Sequence, residues 1–182
     1  MADAKKAIDK IFKPNDWEGQ GVYTNNPADP GGETNSGVTI TEARAAGYTG
    51  DMKSMPFDFV YKVFTTKFFN ALRLDGIDDQ DIANQILQAA VNQGAARWGL
   101  YIQQICNGLF THADILLAID GHPGAHTIAA INKLTLKNKA VFSEAIYNRQ
   151  EKRYDEIVLK NPGLAWARTG WHNRAKDFLF LT

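Results

Sequence analysis

A single cysteine, Cys106, among 182 residues excludes an intramolecular disulfide, so packing and hydrogen bonding must hold the fold. Charge of either sign is not in excess: twenty Lys and Arg balance twenty Asp and Glu. No bulk field therefore draws the chain to nucleic acid or to an anionic surface, and a charged ligand must be recognised locally. Long apolar runs are missing too. Nothing in the sequence is long and apolar enough to span a bilayer, and Met1-Ala2-Asp3-Ala4-Lys5-Lys6 leads into no signal-peptide core. The expectation is a soluble protein made in the cytoplasm, with no nucleic-acid partner and no stable membrane insertion. Repeats and low-complexity tracts are also lacking. What remains is 45% hydrophobic and 22% charged, close to the globular norm and sufficient for a core. The length predicts one domain, or one domain with a small appended subdomain.

Periodicity predicts a mainly α chain. Ala4, Ile8, Ile11 and Phe12 recur at helical spacing, and Pro14 ends that helix. Thr39 with Glu42 three positions on makes a capping box for a short helix closed by Gly47. Pro56 stands where a first helical position is expected, and Val60, Val63, Phe64 and Phe68 then share one apolar face. Asp78 and Asp79 place negative charge at the start of a long helix through Ile82, Ile86, Leu87, Ala90 and Val91. Gly94 interrupts it before Trp98, Ile102 and Ile105. A helix through Thr127, Ile128 and Ile131 follows, then one through Phe142, Ile146, Arg149, Arg153 and Ile157. A last amphipathic piece contains Trp166, Trp171 and Phe178. Short strands are expected around residues 21–23 and 37–39.

One segment departs from this helical regime. Asn25-Asn26-Pro27-Ala28-Asp29-Pro30-Gly31-Gly32-Glu33-Thr34-Asn35-Ser36-Gly37 is dense in residues that favour turns, each for its own reason: side-chain capping, a fixed φ, or tolerance of positive φ. Such a run specifies a tight excursion. It offers the carboxylates of Asp29 and Glu33 and the hydroxyls of Thr34 and Ser36, and Glu18 precedes it. Read separately, Asp29 could simply cap the Pro30-Gly31 turn, and Glu18 could be a solvated acid at a helix end. Read together, a glutamate and a second carboxylate are the parts that glycosidic cleavage needs.

The run Asp29-Pro30-Gly31-Gly32-Glu33-Thr34-Asn35-Ser36-Gly37-Val38-Thr39 closely resembles the signature Asp-Pro-Gly-Gly-x-Thr-Asn-x-Gly-Ile-Thr of the glycoside hydrolase family 108 lysozymes. These are N-acetylmuramidases found as phage endolysins and in secretion-linked loci. The similarity continues through Phe68-Phe69 and the helix ending Ala90-Val91-Asn92-Gln93-Gly94. The last third resembles the peptidoglycan-binding-type region that accompanies such enzymes. Asp120-Gly121, Gly124, Thr127-Ile128-Ala129-Ala130-Ile131-Asn132, Arg149, Tyr154 and Gly170-Trp171-His172-Asn173-Arg174 carry that likeness. One departure stands out: the family's Glu-Gly-Gly-Tyr is here Glu18-Gly19-Gln20-Gly21-Val22-Tyr23, with two extra residues. They could bulge from a hairpin and leave its ends in place, or shift Asp29 and Thr34 relative to Glu18.

The resemblance implies a lysozyme-like helical domain with a short β-hairpin near an N-terminal active site. It implies a catalytic region over residues 1–110 and a helical peptidoglycan-binding-like region over 111–182, the two forming one compact domain if packed together. The expected activity is hydrolysis of the β-1,4 bond between N-acetylmuramic acid and N-acetylglucosamine. Glu18 would be the general acid, Asp29 the second carboxylate and Thr34 a positioner of water; Tyr23, Asn35, Asn92 and Trp98 are the expected substrate contacts. Trp17, Phe12 and Tyr23 could supply an apolar wall that raises the pKa of Glu18. A phage endolysin of this kind would wait in the host cytoplasm, be released to the cell wall, and act on glycan strands as a monomer. The alternatives are a non-catalytic or secretion-assisting wall-binding relative, and a lytic transglycosylase.

Other residues read more plainly. No cofactor and no metal is expected: His122 and His126 have helical spacing, but no carboxylate or thiol completes a site, and Gly124 lies between them. Cys106 shares an apolar face with Ile102 and Ile105 and reads as core. Trp98 and Tyr101 could stack on a sugar or pack inside. Arg149, Lys152 and Arg153 form a basic stripe expected to pair with Glu144, Glu151 or Asp155, or to meet the carboxylates of peptide stems.

Overall fold

A computed structural model describes residues 1–12, 21–25, 32–110 and 116–181. Helix α1 (Ala4–Phe12) buries Ala7, Ile8, Ile11 and Phe12, the face its spacing predicts. A small antiparallel sheet follows, in the order β1 (Tyr23–Thr24), β2 (Thr34–Asn35), β3 (Val38–Thr39). Its register pairs Tyr23 with Asn35 and Thr34 with Thr39. The middle strand is the one that the sequence does not announce, because Thr34 and Asn35 lie inside a run of turn formers.

Helix α2 (Ile40–Ala45) starts on the capping box: Thr39 accepts from the Glu42 N–H, and the Glu42 side chain accepts from the Thr39 N–H. Helix α3 (Phe57–Phe64) begins one residue later than its proline suggests, because Pro56 keeps an extended ψ of 141° and serves as the N-cap. It runs on as a π-helical turn, Thr65–Asn70, so Phe68 and Phe69 both reach the core.

Helix α4 (Gln80–Gln93) is the central element, in contact with α1, α5, α6 and α7 (Arg168–Lys176). Asp79 caps it, accepting from the N–H groups of Asp81 and Ile82. Gly94, at φ 95°, breaks the chain between α4 and α5 (Ala95–Leu109). Helix α6 (Ala125–Lys160) is the pair of predicted helices joined end to end. Asn138 is non-helical between them, and its side chain accepts from the Val141 N–H to start the second half.

Two registers orient the bundle. The chain just before α1 meets the start of α4 through Ala2 N–H to Ile77 O, 2.6 Å, and Asp3 N–H to Gln80 Oε1, 2.8 Å. Gln85 pairs with Ser143 near one end of the α4–α6 contact, and Asn92 with Tyr154 at the other. So α4 and α6 run parallel, and their C-terminal ends lie together. The final predicted piece divides: Trp171 and Phe178 pack inward, whereas Trp166, in the 3-10 turn Pro162–Ala167, is 81% exposed. No helix among the described residues is long and apolar enough to cross a membrane.

Candidate functional site

Glu18, Asp29 and Trp17 lie outside the described residues. What frames them is described on both sides. Phe12 ends α1 with its ring edge-on to Phe57 at 4.9 Å and against Phe64 at 5.3 Å. That ring belongs to the core, at 2% exposure.

The turn-rich segment re-enters as a hairpin with a two-residue connection. Ser36 and Gly37 both have positive φ, 50° and 73°, the requirement of a turn whose twist matches its strands. Serine adopts this conformation because its hydroxyl is tied on both sides. It accepts from the Gly21 N–H at 2.8 Å and donates to Asn35 Oδ1 at 2.8 Å. The Ser36 N–H also reaches Val22 O at 3.1 Å, so the backbone from Gly21 onward is held to the hairpin.

Three expected site residues share this sheet. Thr34 is half-buried, and its hydroxyl donates to Gly32 O at 3.4 Å. Tyr23 is half-buried beneath the Lys53 ammonium, 5.3 Å from its ring centroid. Desolvation and then the neighbouring Glu33 carboxylate raise its phenol pKa. Glu33 is the loop carboxylate that stands within the described residues. Asn35 is different: it is 2% exposed, and its amide donates to Met52 O at 2.7 Å. Its place is beneath the hairpin, pinning the sheet to the 3-10 turn Met52–Ser54, not on a substrate-facing surface.

The other two expected contacts sit at the α4–α5 junction. Trp98 is wholly buried, with its indole N–H donating to Gln93 Oε1 at 3.1 Å and its ring edge-on to Tyr101 at 5.8 Å. It offers no stacking face, and the core reading holds. Asn92 is half-buried and accepts from the Tyr154 hydroxyl at 2.8 Å. Burial pushes that phenol up to about 12, so it remains a donor at neutral pH.

Sequence reasoning missed the polar network around Asn92. Tyr154 stacks on Trp171 at 5.2 Å, and Arg168 of α7 bridges Glu151 (2.8 Å) and Asp155 (3.0 Å) of α6. His172 Nδ1 stands 3.0 Å from both Glu151 Oε2 and the Tyr147 hydroxyl. The basic stripe pairs otherwise than expected: Arg149 and Arg153 both reach Glu156, while Glu151 and Asp155 belong to Arg168. Arg149 also lies flat over Tyr101, 3.5 Å from the ring centroid. One signal was available, since Tyr147, Glu151, Tyr154 and Asp155 recur every three or four residues on one face.

Cys106 is buried, and desolvation pushes its thiol up to about 12, which makes it inert as a nucleophile. His122 and His126 are exposed, and no group of three or more His, Cys, Asp or Glu among the described residues could hold a metal ion.

Residues 13–94 match the family model described as Glycosyl hydrolase 108, a span that takes in Glu18 and the whole turn-rich loop. That match indicates a glycoside hydrolase. The solved structure of Brucella abortus SagA is similar with a TM-score of 0.69 at 21% identity, covering 96% of this chain and 94% of that one. At that identity the likeness speaks for the fold: mainly helical, with a small sheet near the N-terminus. No curated protein matches the sequence.

Proposed function

We propose that this protein is a muramidase, hydrolysing the β-1,4 bond between N-acetylmuramic acid and N-acetylglucosamine in peptidoglycan, with Glu18 as general acid. The observation that carries the reading is the family match over residues 13–94, which includes both Glu18 and the Asp29-Pro30-Gly31-Gly32 loop. Cleavage requires a proton on a poor leaving-group oxygen, so one carboxylic acid must keep its proton near neutrality. A second group must stabilise the oxocarbenium-like state or activate water; Asp29 has that role, with Thr34 holding the water. Carboxyl groups roughly 6.5–9.5 Å apart would give inversion, and about 5 Å retention.

The hairpin supports this assignment through rigidity. Ser36 and Asn35 tie the loop's return to Gly21 and to Met52, so a residue at 34 keeps its place when a glycan strand binds. The Gly21 and Val22 backbone, which leads into Tyr23, is anchored to the same Ser36.

In this reading the protein acts in phage-type host lysis, held inside the cell until it reaches the wall, and residues 111–182 assist by holding peptidoglycan. The test is clearing of permeabilised Gram-negative cells. Wild-type clearing with a reducing muramic-acid end, lost in Glu18→Gln, supports the muramidase. Equal clearing by both proteins would remove Glu18 from the chemistry, and an anhydro product would make the enzyme a lytic transglycosylase.

A further inference from the structure

The register of the small sheet sorts its side chains by face. Residues directly opposite each other on antiparallel strands share a face, and the next pair along takes the other. Tyr23, Asn35 and Val38 therefore stand in one row across β1, β2 and β3, and Thr24, Thr34 and Thr39 in a second. Burial agrees with this sorting. Asn35 and Val38 are buried, whereas Thr34 and Thr39 are half-buried and Thr24 is exposed. The outward face of the sheet is thus a row of three threonine hydroxyls. Their commitments differ. Thr39 accepts from the Glu42 N–H at 3.3 Å and belongs to the α2 cap. Thr34 donates to Gly32 O at 3.4 Å, which leaves its oxygen lone pairs open to a donor. Thr24 makes no side-chain hydrogen bond among the described residues. The chain that leads into it is fixed, since the Ser36 N–H donates to Val22 O at 3.1 Å and the Ser36 hydroxyl accepts from the Gly21 N–H at 2.8 Å.

We propose that Thr24 and Thr34 together hold the water that attacks the anomeric carbon, which makes Thr24 a second water-holding hydroxyl of the reaction. The proposal rests on the muramidase reading, in which Thr34 alone has that duty. Its geometry comes from the register. Cβ atoms of directly opposed residues stand about 4.5–5.5 Å apart. A tetrahedral water with hydrogen bonds of about 2.8 Å to two hydroxyls keeps their oxygens ~4.6 Å apart. The two spacings agree, so one water fits between the paired threonines on the outward face. It donates one O–H to Thr34 Oγ1 and accepts from the Thr24 hydroxyl, which leaves one lone pair for the attack. Its second O–H serves the carboxylate base, Asp29 in that reading. The water oxygen bonds to the anomeric carbon as the bond to the leaving oxygen breaks. One water proton passes to the base, and the Glu18 proton goes to the leaving oxygen. A water held at one point still turns about that bond, and a second hydroxyl stops the turning. Threonine also suits an exposed strand through its β-branch alone. Valine keeps that branch and loses the hydroxyl, so one substitution separates the two roles.

The test measures kcat and KM of the full-length protein on soluble glycan, read by release of reducing ends. Thr24→Val should lower kcat by about fivefold to tenfold, with a smaller change in KM and an unchanged thermal midpoint. Thr24→Ser, which restores the hydroxyl, should recover the rate to within about twofold. The losses in Thr24→Val and Thr34→Val should not add in the double variant, because both remove bonds to one water. An unchanged kcat in Thr24→Val, a loss that Thr24→Ser does not recover, additive losses, or a matched fall in thermal midpoint would each overturn the proposal. Hydrolysis that Glu18→Gln abolishes and Thr24→Val leaves intact removes this proposal and keeps the muramidase reading. No hydrolysis by the wild type, or an anhydro product formed without attack by water, removes both.

Discussion

The hairpin at residues 32–39 and the contact between α4 and α6 are both polar and both buried, yet they are built by opposite means. In the hairpin the polar partners lie 1 to 17 residues apart: Ser36 with Asn35, Thr39 with Glu42, Ser36 with Gly21 and Asn35 with Met52 O. Between α4 and α6 the partners lie 57 to 62 residues apart, as in Gln93 with Gln150 O and Gln150 with Gln88. Gln85, Gln88 and Gln93 are buried on the helix that the apolar pattern marks as core. They form a ladder with Ser143, Gln150 and Tyr154. A buried ladder of this kind permits one register of the two helices, because a shift would leave amides without partners. Under the proposed function the first region places chemistry, and the second aligns the scaffold behind it.

The largest effect should fall on chemistry and spare the scaffold. Glu18→Gln is expected to lower the turnover rate by about 10²–10⁴-fold, with an unchanged thermal midpoint, measured by release of reducing sugar and by calorimetry. A matched loss of stability would instead place Glu18 in the scaffold. The ladder should behave the other way. Gln150→Leu takes the amide donor from Gln88 Oε1 and from the Tyr154 hydroxyl, and should cost about 2–3 kcal/mol in chemical denaturation, with KM on soluble glycan unchanged.

Asn35→Ala tests whether the hairpin couples the two regions. It leaves Met52 O and the Ser36 hydroxyl without their partner, at about 1–2 kcal/mol, and should also lower activity by freeing Thr34. Stability loss with full activity would break the link between loop rigidity and catalysis. Thr39→Ala removes one half of the capping box and should cost about 1 kcal/mol by the same measurement.

The smallest effect concerns pH. Burial acts to raise the Asp79 pKa, but Lys139 and the N–H groups of Ile82 and Asp81 outweigh it, and the net shift is downward. A carboxylate lowered on folding adds stability above its unfolded value and loses it as pH falls through the folded one. Thermal midpoints of the wild type should therefore drop below about pH 4 more steeply than those of Asp79→Asn. Parallel curves would show that the α4 cap carries no linkage.

How much was legible follows the range of the interactions. The capping box, the break at Gly94, the α1 core face and the buried Cys106 were readable because each rests on residues within a turn or two of one another. Trp98 and Asn35 could be named from a motif but not placed. A tryptophan and an asparagine are equally suited to a cleft or a core, and burial depends on what packs above them. The rearranged pairs of Arg149, Arg153 and Arg168 were invisible for the same reason: Arg168 arrives from α7, after a reversal of the chain.

The order of letters by itself determined a mainly helical protein, the capped start of α2, the break at Gly94, and a tight turn-rich excursion that resembles a muramidase loop. Those features follow from backbone preferences and hydrophobic period, which act over a few residues. The tertiary structure alone decided that the turn-rich run holds a third strand. It also decided that α4 and α6 lie parallel on a glutamine ladder, and that Thr24 stands in register with Thr34. Each of these depends on burial, and burial is a property of the assembled chain.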